Sequence, residues 1–300
     1  MRILKETFKE FMDDDSPRMA AALAYYTIFS LPPLLVLILM VTGLFVDPQN
    51  VQGTIEEQMG GMLGAEAARS IQAMIANASR PSGGGLAATL LSIAALAFGA
   101  TGAFVQLQGA LNAAWEVEPD PEQGGLRHFL VKRVFSFGMI LGLGFLMLVS
   151  LVLSALLSAF GEGLASMLPG GVSETALRLV ELALSLVFIT LLFAAMFKIL
   201  PDAVIAWRDV WVGALVTGVL FVAGKFLIGF YIGRSEPGSA FGAAGSLAVI
   251  LIWVYYTGMV LLLGAEFTQV WARRRGGGIR PEPGAMHVIA TKRRIPEGAA

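Results

Sequence analysis

Six long stretches of the sequence are almost free of charged side chains, and they limit what the chain can fold into. A helix needs about 20 apolar residues to cross the hydrocarbon core of a bilayer. Only 14% of the residues are charged, whereas a typical soluble domain has about 25%. The sequence therefore predicts an all-α integral membrane protein with six transmembrane helices. The approximate spans are residues 19–46, 86–112, 133–160, 176–198, 210–233 and 242–270.

Lysine and arginine are unevenly divided between the two sets of loops that these spans would define. Loops that hold an excess of lysine and arginine stay in the cytoplasm. One set is rich in them and includes both ends of the chain: Arg2, Lys5, Lys9, Arg18, Arg127, Lys132, Arg133, Lys198, Arg208, Arg273, Arg274, Arg275, Arg280, Lys292, Arg293 and Arg294. The other set holds only Arg69, Arg80, Arg178 and Arg234. We therefore expect both termini to be cytoplasmic.

Three segments flank or interrupt the predicted transmembrane domain of residues 17–272. Residues 1–16 place apolar side chains at helical spacing among Lys and Glu, which predicts an amphipathic helix in the cytoplasmic interface. In it, Asp13–Ser16 supply N-cap chemistry for the next helix. Residues 47–85 predict a helical external loop. Residues 273–300 are rich in Gly, Pro and basic side chains, which predicts a disordered cytoplasmic tail beside anionic lipid headgroups.

The sequence shows no recognisable catalytic or metal-binding motif. There are no cysteines, and the two histidines, His128 and His287, are far apart and have no metal-ligand spacing. No phosphate-binding glycine loop or nucleophile motif is present. A basic soluble domain that could hold nucleic acid is also missing. We therefore expect a protein that is not an enzyme and that has no metal, no cofactor and no nucleic-acid partner.

The first predicted span contains the adjacent prolines Pro32 and Pro33, which remove helical hydrogen bonds. One interpretation is a packing kink, and the other is a broken helix beside a polar cavity, as in many transporters. Tyr25, Tyr26 and Ser30 precede the prolines and are candidates to line such a cavity. The two tyrosines lie deeper than an aromatic belt, so we expect them to form hydrogen bonds inside the protein.

Lys225 is the most unusual single residue, because it lies about 22 Å along the fifth span from its cytoplasmic start. A charge at the centre of a bilayer costs about 2.5–3.5 kcal/mol on insertion scales. Its side chain either extends outward to the headgroups or faces a cavity and binds an anionic group. The other candidates for such a cavity are Gln108, Asn112, Tyr255 and Tyr256.

Five charged residues fall near the cytoplasmic ends of the last three spans. They are Lys198, Asp202, Arg208, Asp209 and Glu266. Two roles are open for them: ion pairing that ends the helices, or a cytoplasmic gate.

Four stretches, in order, resemble the YihY/BrkB-like membrane proteins, once labelled ribonuclease BN. The first runs from Asp15 through Tyr25 and Tyr26 to Pro32 and Pro33. The others are QLQGALNAAW at residues 106–115, LPDA at 200–203 with WRDVWVGA at 207–214, and GAAGSL to LGAE between 242 and 266. The resemblance implies a six-helix bacterial inner-membrane protein, but it implies no settled activity.

Two functions remain open, and ribonuclease activity is not one of them, because the clustered metal ligands of a nuclease are missing. The first is a transporter or flippase-like carrier of an anionic or amphiphilic solute. The second is a non-transporting membrane scaffold or envelope-assembly factor. We expect membrane lipids as partners under both functions. The glycine-rich face of the fifth span would also suit a homo-oligomer.

Overall fold

The computed structural model describes residues 2–42, 69, 72–73, 94–96, 98–99, 101–121, 174–235 and 245–288. This part of the chain is mostly helical, with a few very short strands. In chain order the elements are α1 (Arg2–Asp13), α2 (Ser16–Thr42), α3 (Gly102–Ala114), β1 (Val117–Pro119), α4 (Glu174–Ile199), β2 (Ala203–Val204), α5 (Trp207–Ser235), α6 (Gly245–Arg274), β3 (Arg280–Pro281) and β4 (Ala285–His287).

Three of the described helices are long and apolar enough to cross a membrane. They cover Ser16–Val36, Trp207–Ile228 and Leu247–Arg274, and a shorter apolar helix covers Ser185–Ile199. The three long helices coincide with the first, fifth and sixth predicted spans, and the shorter one coincides with the fourth. The helical, membrane-type fold is therefore confirmed for the described part of the chain.

The remaining predicted spans are only partly within the described residues. The second predicted span, 86–112, is represented mainly by its last part in α3. The third, 133–160, lies outside the described residues. The predicted external loop, 47–85, also lies outside them apart from three helical residues, Arg69, Gln72 and Ala73.

Helix α6 is the centre of the described bundle. It packs against α2 on one side and α5 on the other, while α4 packs on α5 and α3 packs on α2. Trp115, just after α3, is fully buried and donates a hydrogen bond from Nε1 to the carbonyl of Ala265 at 3.0 Å. Its ring meets Phe197 of α4 edge-on at 5.8 Å. One buried core therefore joins α3, α4 and α6.

Helices α5 and α6 approach closely through two glycine–threonine pairs. The Thr217 side chain of α5 packs on Gly264 of α6, and the Thr268 side chain of α6 packs on Gly213 of α5. Each hydroxyl donates to the carbonyl four residues earlier in its own helix, at 2.8 Å for Thr217 and 2.7 Å for Thr268. The hydroxyls are thus satisfied without water, and small residues allow the backbones to approach, as is common between membrane helices.

One end of the bundle, which we call the charged end, carries α1, all four strands and the last turn of α6. Strand β1 pairs antiparallel with β4, with Val117 opposite His287, and β2 pairs antiparallel with β3, with Ala203 opposite Pro281. The described segment after α6, residues 275–288, is therefore ordered, with Ile279 buried, which differs from the disorder predicted for this part of the tail. Composition indicated flexibility, but backbone pairing with two loops of the bundle orders this segment.

Helix α1 lies against α6 at the charged end. Phe11 and Thr7 are buried, whereas Leu4, Phe8 and Met12 form an exposed apolar stripe. This face is consistent with the predicted position in the membrane interface.

Candidate functional site

A buried glutamate is the most unusual group at the charged end. Glu266 of α6 has a relative exposure of 0%, and neither side-chain oxygen has a hydrogen-bond partner among the described residues. The Asp14 carboxyl, from the turn between α1 and α2, lies within hydrogen-bonding reach of it. The carboxyls of Glu10 and Glu116 are close enough to act on Glu266 electrostatically. We call Glu10, Asp14, Glu116 and Glu266 the acidic cluster.

Backbone turns bring the members of this cluster together from three parts of the chain. Helix α1 ends at Asp13, and Asp15 has a φ of 54°, which turns the chain into α2. Glu116 follows the end of α3 and has a φ of 53°. Non-glycine residues seldom adopt this left-handed conformation. Helix α6 supplies Glu266, so α1, α3 and α6 converge on one point.

Arg273 partly balances the charge of the cluster. Its guanidinium lies 3.1 Å from Glu10 and 4.0 Å from Glu116. Arg274, one residue later, pairs with Glu6 and helps to hold α1 against α6.

Burial, together with the nearby carboxylates of Glu10 and Glu116, raises the pKa of Asp14 to about 6. Asp14 and Glu266 are thus the two members of the cluster without an arginine partner among the described residues.

A second polar network joins α3 to the loop between α4 and β2. The Asn112 side chain donates to the Asp202 carboxylate at 2.6 Å and accepts from the Asp202 backbone N–H at 2.9 Å. Gln108, one turn earlier, donates to the other Asp202 oxygen at 3.3 Å. Three residues predicted as site candidates are therefore in direct contact. Their hydrogen bonds join α3 directly to the loop after α4.

The other charged candidates surround the start of α5. Lys198 donates to the carbonyl of Ile205 at 2.6 Å, and its ammonium lies 5.7 Å from the centre of the Trp207 ring. Asp209 is only 1% exposed and lies 3.8 Å from the exposed Arg208 guanidinium. These contacts stabilise the loop and the first turn of α5.

The two prolines do not interrupt α2, which is continuous from Ser16 to Thr42. Pro33 instead packs close to Gly99, three residues before α3 begins. Ser30 is buried, and its hydroxyl accepts a hydrogen bond from the backbone N–H of Ala103 at 3.1 Å. Ser30 therefore satisfies an N–H in the first turn of α3 that has no helical partner. The packing interpretation fits this region, because the contact is filled by side chains.

The four candidate tyrosines, all among the described residues, divide into one interior residue and three surface residues. Tyr256 lies between α6 and α5, packs on Gly224 and donates its hydroxyl proton to the carbonyl of Leu220 at 3.2 Å. Tyr25 and Tyr26 are 59% and 47% exposed, which is a correction to their predicted interior position, and Tyr255 is also exposed. Aromatic rings are amphipathic and tolerate the membrane surface.

Lys225 also lies on the exposed surface of the bundle, on α5 beside the exposed Phe226 and Leu227. Within the described residues, the structure therefore favours an outward-facing side chain over one that faces an enclosed cavity. The acidic cluster and Lys225 are at different levels of the bundle and do not meet.

Sequence reasoning found Glu266 but missed its neighbours Glu10, Asp14, Glu116 and Arg273. Capping chemistry accounted for the Asp13–Asp15 triplet, so Asp14 received no further role. A signal was available, because a carboxylate near the end of an apolar helix needs a partner from another segment.

The family described as "Virulence factor BrkB" matches residues 7–288 of this chain. A UPF0761 membrane protein of Pseudomonas aeruginosa (strain LESB58) is 28% identical over 273 residues, which cover 88% of this chain and 62% of that protein. The putative ribonuclease-like protein YfkH of Bacillus subtilis is 26% identical over 282 residues, or 92% of this chain and 97% of that protein.

The chain spans about six tenths of the length of several UPF0761 relatives that it matches. No solved structure matches it significantly. The apolar helices and the matched residues agree on one assignment. The chain belongs to the BrkB family of membrane proteins.

Proposed function

We propose that the protein is a transporter or flippase-like carrier of an anionic or amphiphilic solute in the bacterial inner membrane. The observation that carries the proposal is the buried carboxyl of Glu266, which lies within a membrane-spanning helix and has no hydrogen-bond partner among the described residues. A position that served packing alone would be filled at lower cost by an apolar residue. Ionisable residues in membrane helices usually mark the paths of ions or substrates.

The orientation follows from the charges at the charged end. Lys5, Lys9, Arg208, Arg273 and Arg274 all lie there, and loops rich in such residues stay in the cytoplasm. In the proposed orientation the charged end and both termini face the cytoplasm. Helix α1 then rests in the inner leaflet.

Lys225 supports the substrate class. An ammonium next to exposed Phe226 and Leu227 offers both a positive charge and an apolar surface. An amphiphile with an anionic headgroup matches that combination. A soluble anion without an apolar part would match the ammonium but not the apolar side chains beside it.

A second candidate is a membrane scaffold or envelope-assembly factor that moves no solute. The network of Asn112, Gln108 and Asp202 favours it, because these groups satisfy one another. The two small strand pairs also tie the charged end together. Both features suit a rigid platform.

Native mass spectrometry of the gently purified protein tests the substrate class. We expect a reproducibly bound anionic lipid or amphiphile, lost in Lys225→Ala and retained in Lys225→Arg, which keeps the charge. Lys9→Ala is the matched control, since Lys9 is an exposed lysine paired with Asp13. Binding that is indifferent to Lys225, or no bound amphiphile, would favour the scaffold.

A further inference from the structure

We propose that Asp14 and Glu266 form a proton-binding carboxyl pair at the charged end of the bundle. Its assignment rests on the geometry of the two side chains. Its use as the site of a coupling proton rests on the proposed transport function. Protonation adds a proton from water to one carboxylate, and the resulting carboxylic acid donates its O–H to the other carboxylate.

The hydrogen-bonding state of Glu266 is the first argument for a proton. The carboxyl is fully buried, and no described residue donates a hydrogen bond to either oxygen. Another carboxyl, that of Asp14, lies within hydrogen-bonding reach of it. Two ionised carboxylates repel each other and have no hydrogen to share. A single proton turns this repulsion into a charge-assisted hydrogen bond.

The surrounding charges leave this pair uncompensated. Glu10 and Glu116 share Arg273, the basic residue of α6 that faces the cluster. Asp13 pairs with Lys9, and Asp15 pairs with Arg18 at 3.2 Å. Helix α5 contributes one buried carboxylate to this end of the bundle, that of Asp209, and it lies beside Arg208. Each of these carboxylates has a basic partner, whereas Asp14 and Glu266 have each other.

A metal ion fits the cluster less well than a proton. No three of the described acidic or histidine side chains converge closely enough to hold a metal ion. Arg273 also brings a positive charge to the cluster, which would repel a second cation. The carboxyl pair of Asp14 and Glu266 therefore suits a single proton.

The depths of the two carboxyls suggest a direction for proton entry. Asp14 lies in the exposed turn between α1 and α2 and is only partly buried, whereas Glu266 is fully buried in α6. Glu266 is eight residues before Arg274, the end of α6, or about 12 Å along the helix. A proton from the solvent at the charged end would reach Asp14 first and then Glu266.

Difference infrared spectroscopy of the full-length protein in nanodiscs, without any added solute, tests the pair. The C=O stretch of a protonated carboxyl is followed as the pH changes between about 4 and 9. We expect about one proton per chain to titrate in the pair. The band is lost in Glu266→Gln and in Asp14→Asn, and it is kept in Glu118→Gln, which changes an exposed glutamate of β1.

The controls separate this proposal from folding defects and from the transport proposal. Glu266→Asp keeps a carboxyl if Glu266→Gln fails to fold, and its band should remain with a shifted midpoint. A band that survives in both Glu266→Gln and Asp14→Asn would overturn the proposal, as would a band that responds to sodium at constant pH. Because no solute is present, a missing band counts against the carboxyl pair alone. Loss of solute movement with the band intact counts against transport alone.

Discussion

The close contact between α5 and α6 allows a sharp prediction at Gly264. A methyl group added at this position would lie 2.9 Å from Cβ and 3.1 Å from Cγ2 of Thr217, and it would overlap the hydroxyl. Rotation of the threonine cannot remove the conflict, since its Cβ is fixed by the backbone of α5. We therefore expect Gly264→Ala to force the two helices apart.

A matched substitution isolates the steric part of this effect. Gly109, on an exposed position of α3, has nothing within 4 Å of an added Cβ. Replacing a helical glycine by alanine stabilises a helix by about 0.5–1 kcal/mol in both cases. Overpacking a close contact costs about 1–3 kcal/mol. Gly264→Ala should therefore be less stable than Gly109→Ala by about 1–3 kcal/mol in free energy of unfolding.

Unfolding of the detergent-solubilised protein by increasing SDS, followed by circular dichroism, measures this difference. Thr217→Ala in the Gly264→Ala background should recover part of the loss, because it removes the hydroxyl and Cγ2. If Gly264→Ala and Gly109→Ala were equally stable, the close approach of α5 and α6 would be refuted.

Two further predictions concern the polar groups of the charged end. Asn112→Ala should lower the free energy of unfolding by about 1–3 kcal/mol, because it leaves Asp202 without its 2.6 Å donor. Gln108→Ala removes a longer hydrogen bond of 3.3 Å and should lower the free energy of unfolding by less in the same SDS titration. The pKa of Asp14 is raised from 3.8 to about 6 in the folded protein, so its stabilising effect is complete below pH 3.8 and is lost as the pH rises through 6. After a discount for its partial exposure we expect a change of about 1 kcal/mol, seen as a higher unfolding midpoint at about pH 4 than at about pH 7 and abolished by Asp14→Asn.

The sequence was sufficient to predict the long helices of the described residues, because long apolar runs carry a strong local signal. The prediction of the fifth span, 210–233, agrees with α5 (Trp207–Ser235) to within a turn, and that of the sixth, 242–270, agrees with α6 (Gly245–Arg274) similarly. The amphipathic N-terminal helix was also predictable from its apolar spacing. Each of these features depends on residues close together in the chain.

The acidic cluster depends instead on contacts between distant segments. Asp14 and Glu266 are separated by almost the whole chain, and only the packing of α1 across the end of α6 brings them together. The same applies to Asn112 and Asp202, both of which were candidates although their contact was not predicted. The sequence therefore identified polar residues in apolar surroundings without giving their partners.

The tyrosines and the tail show where local signals misled. Depth along the span suggested that Tyr25 and Tyr26 face inward. Both side chains instead lie on the side of α2 that faces the exposed surface. Composition suggested a disordered tail, but strands β3 and β4 pair with β2 and β1. Composition gives neither the direction in which a helical side chain points nor the pairing of strands from distant segments.

The most direct test of the proposed function is the movement of a fluorescent anionic lipid across the membrane of proteoliposomes. The account predicts faster movement than in protein-free liposomes, with a loss of rate in Lys225→Ala and in Glu266→Gln and an unchanged rate in Glu118→Gln. Wild-type protein that moves the lipid no faster than protein-free liposomes would contradict the transport proposal and favour the scaffold.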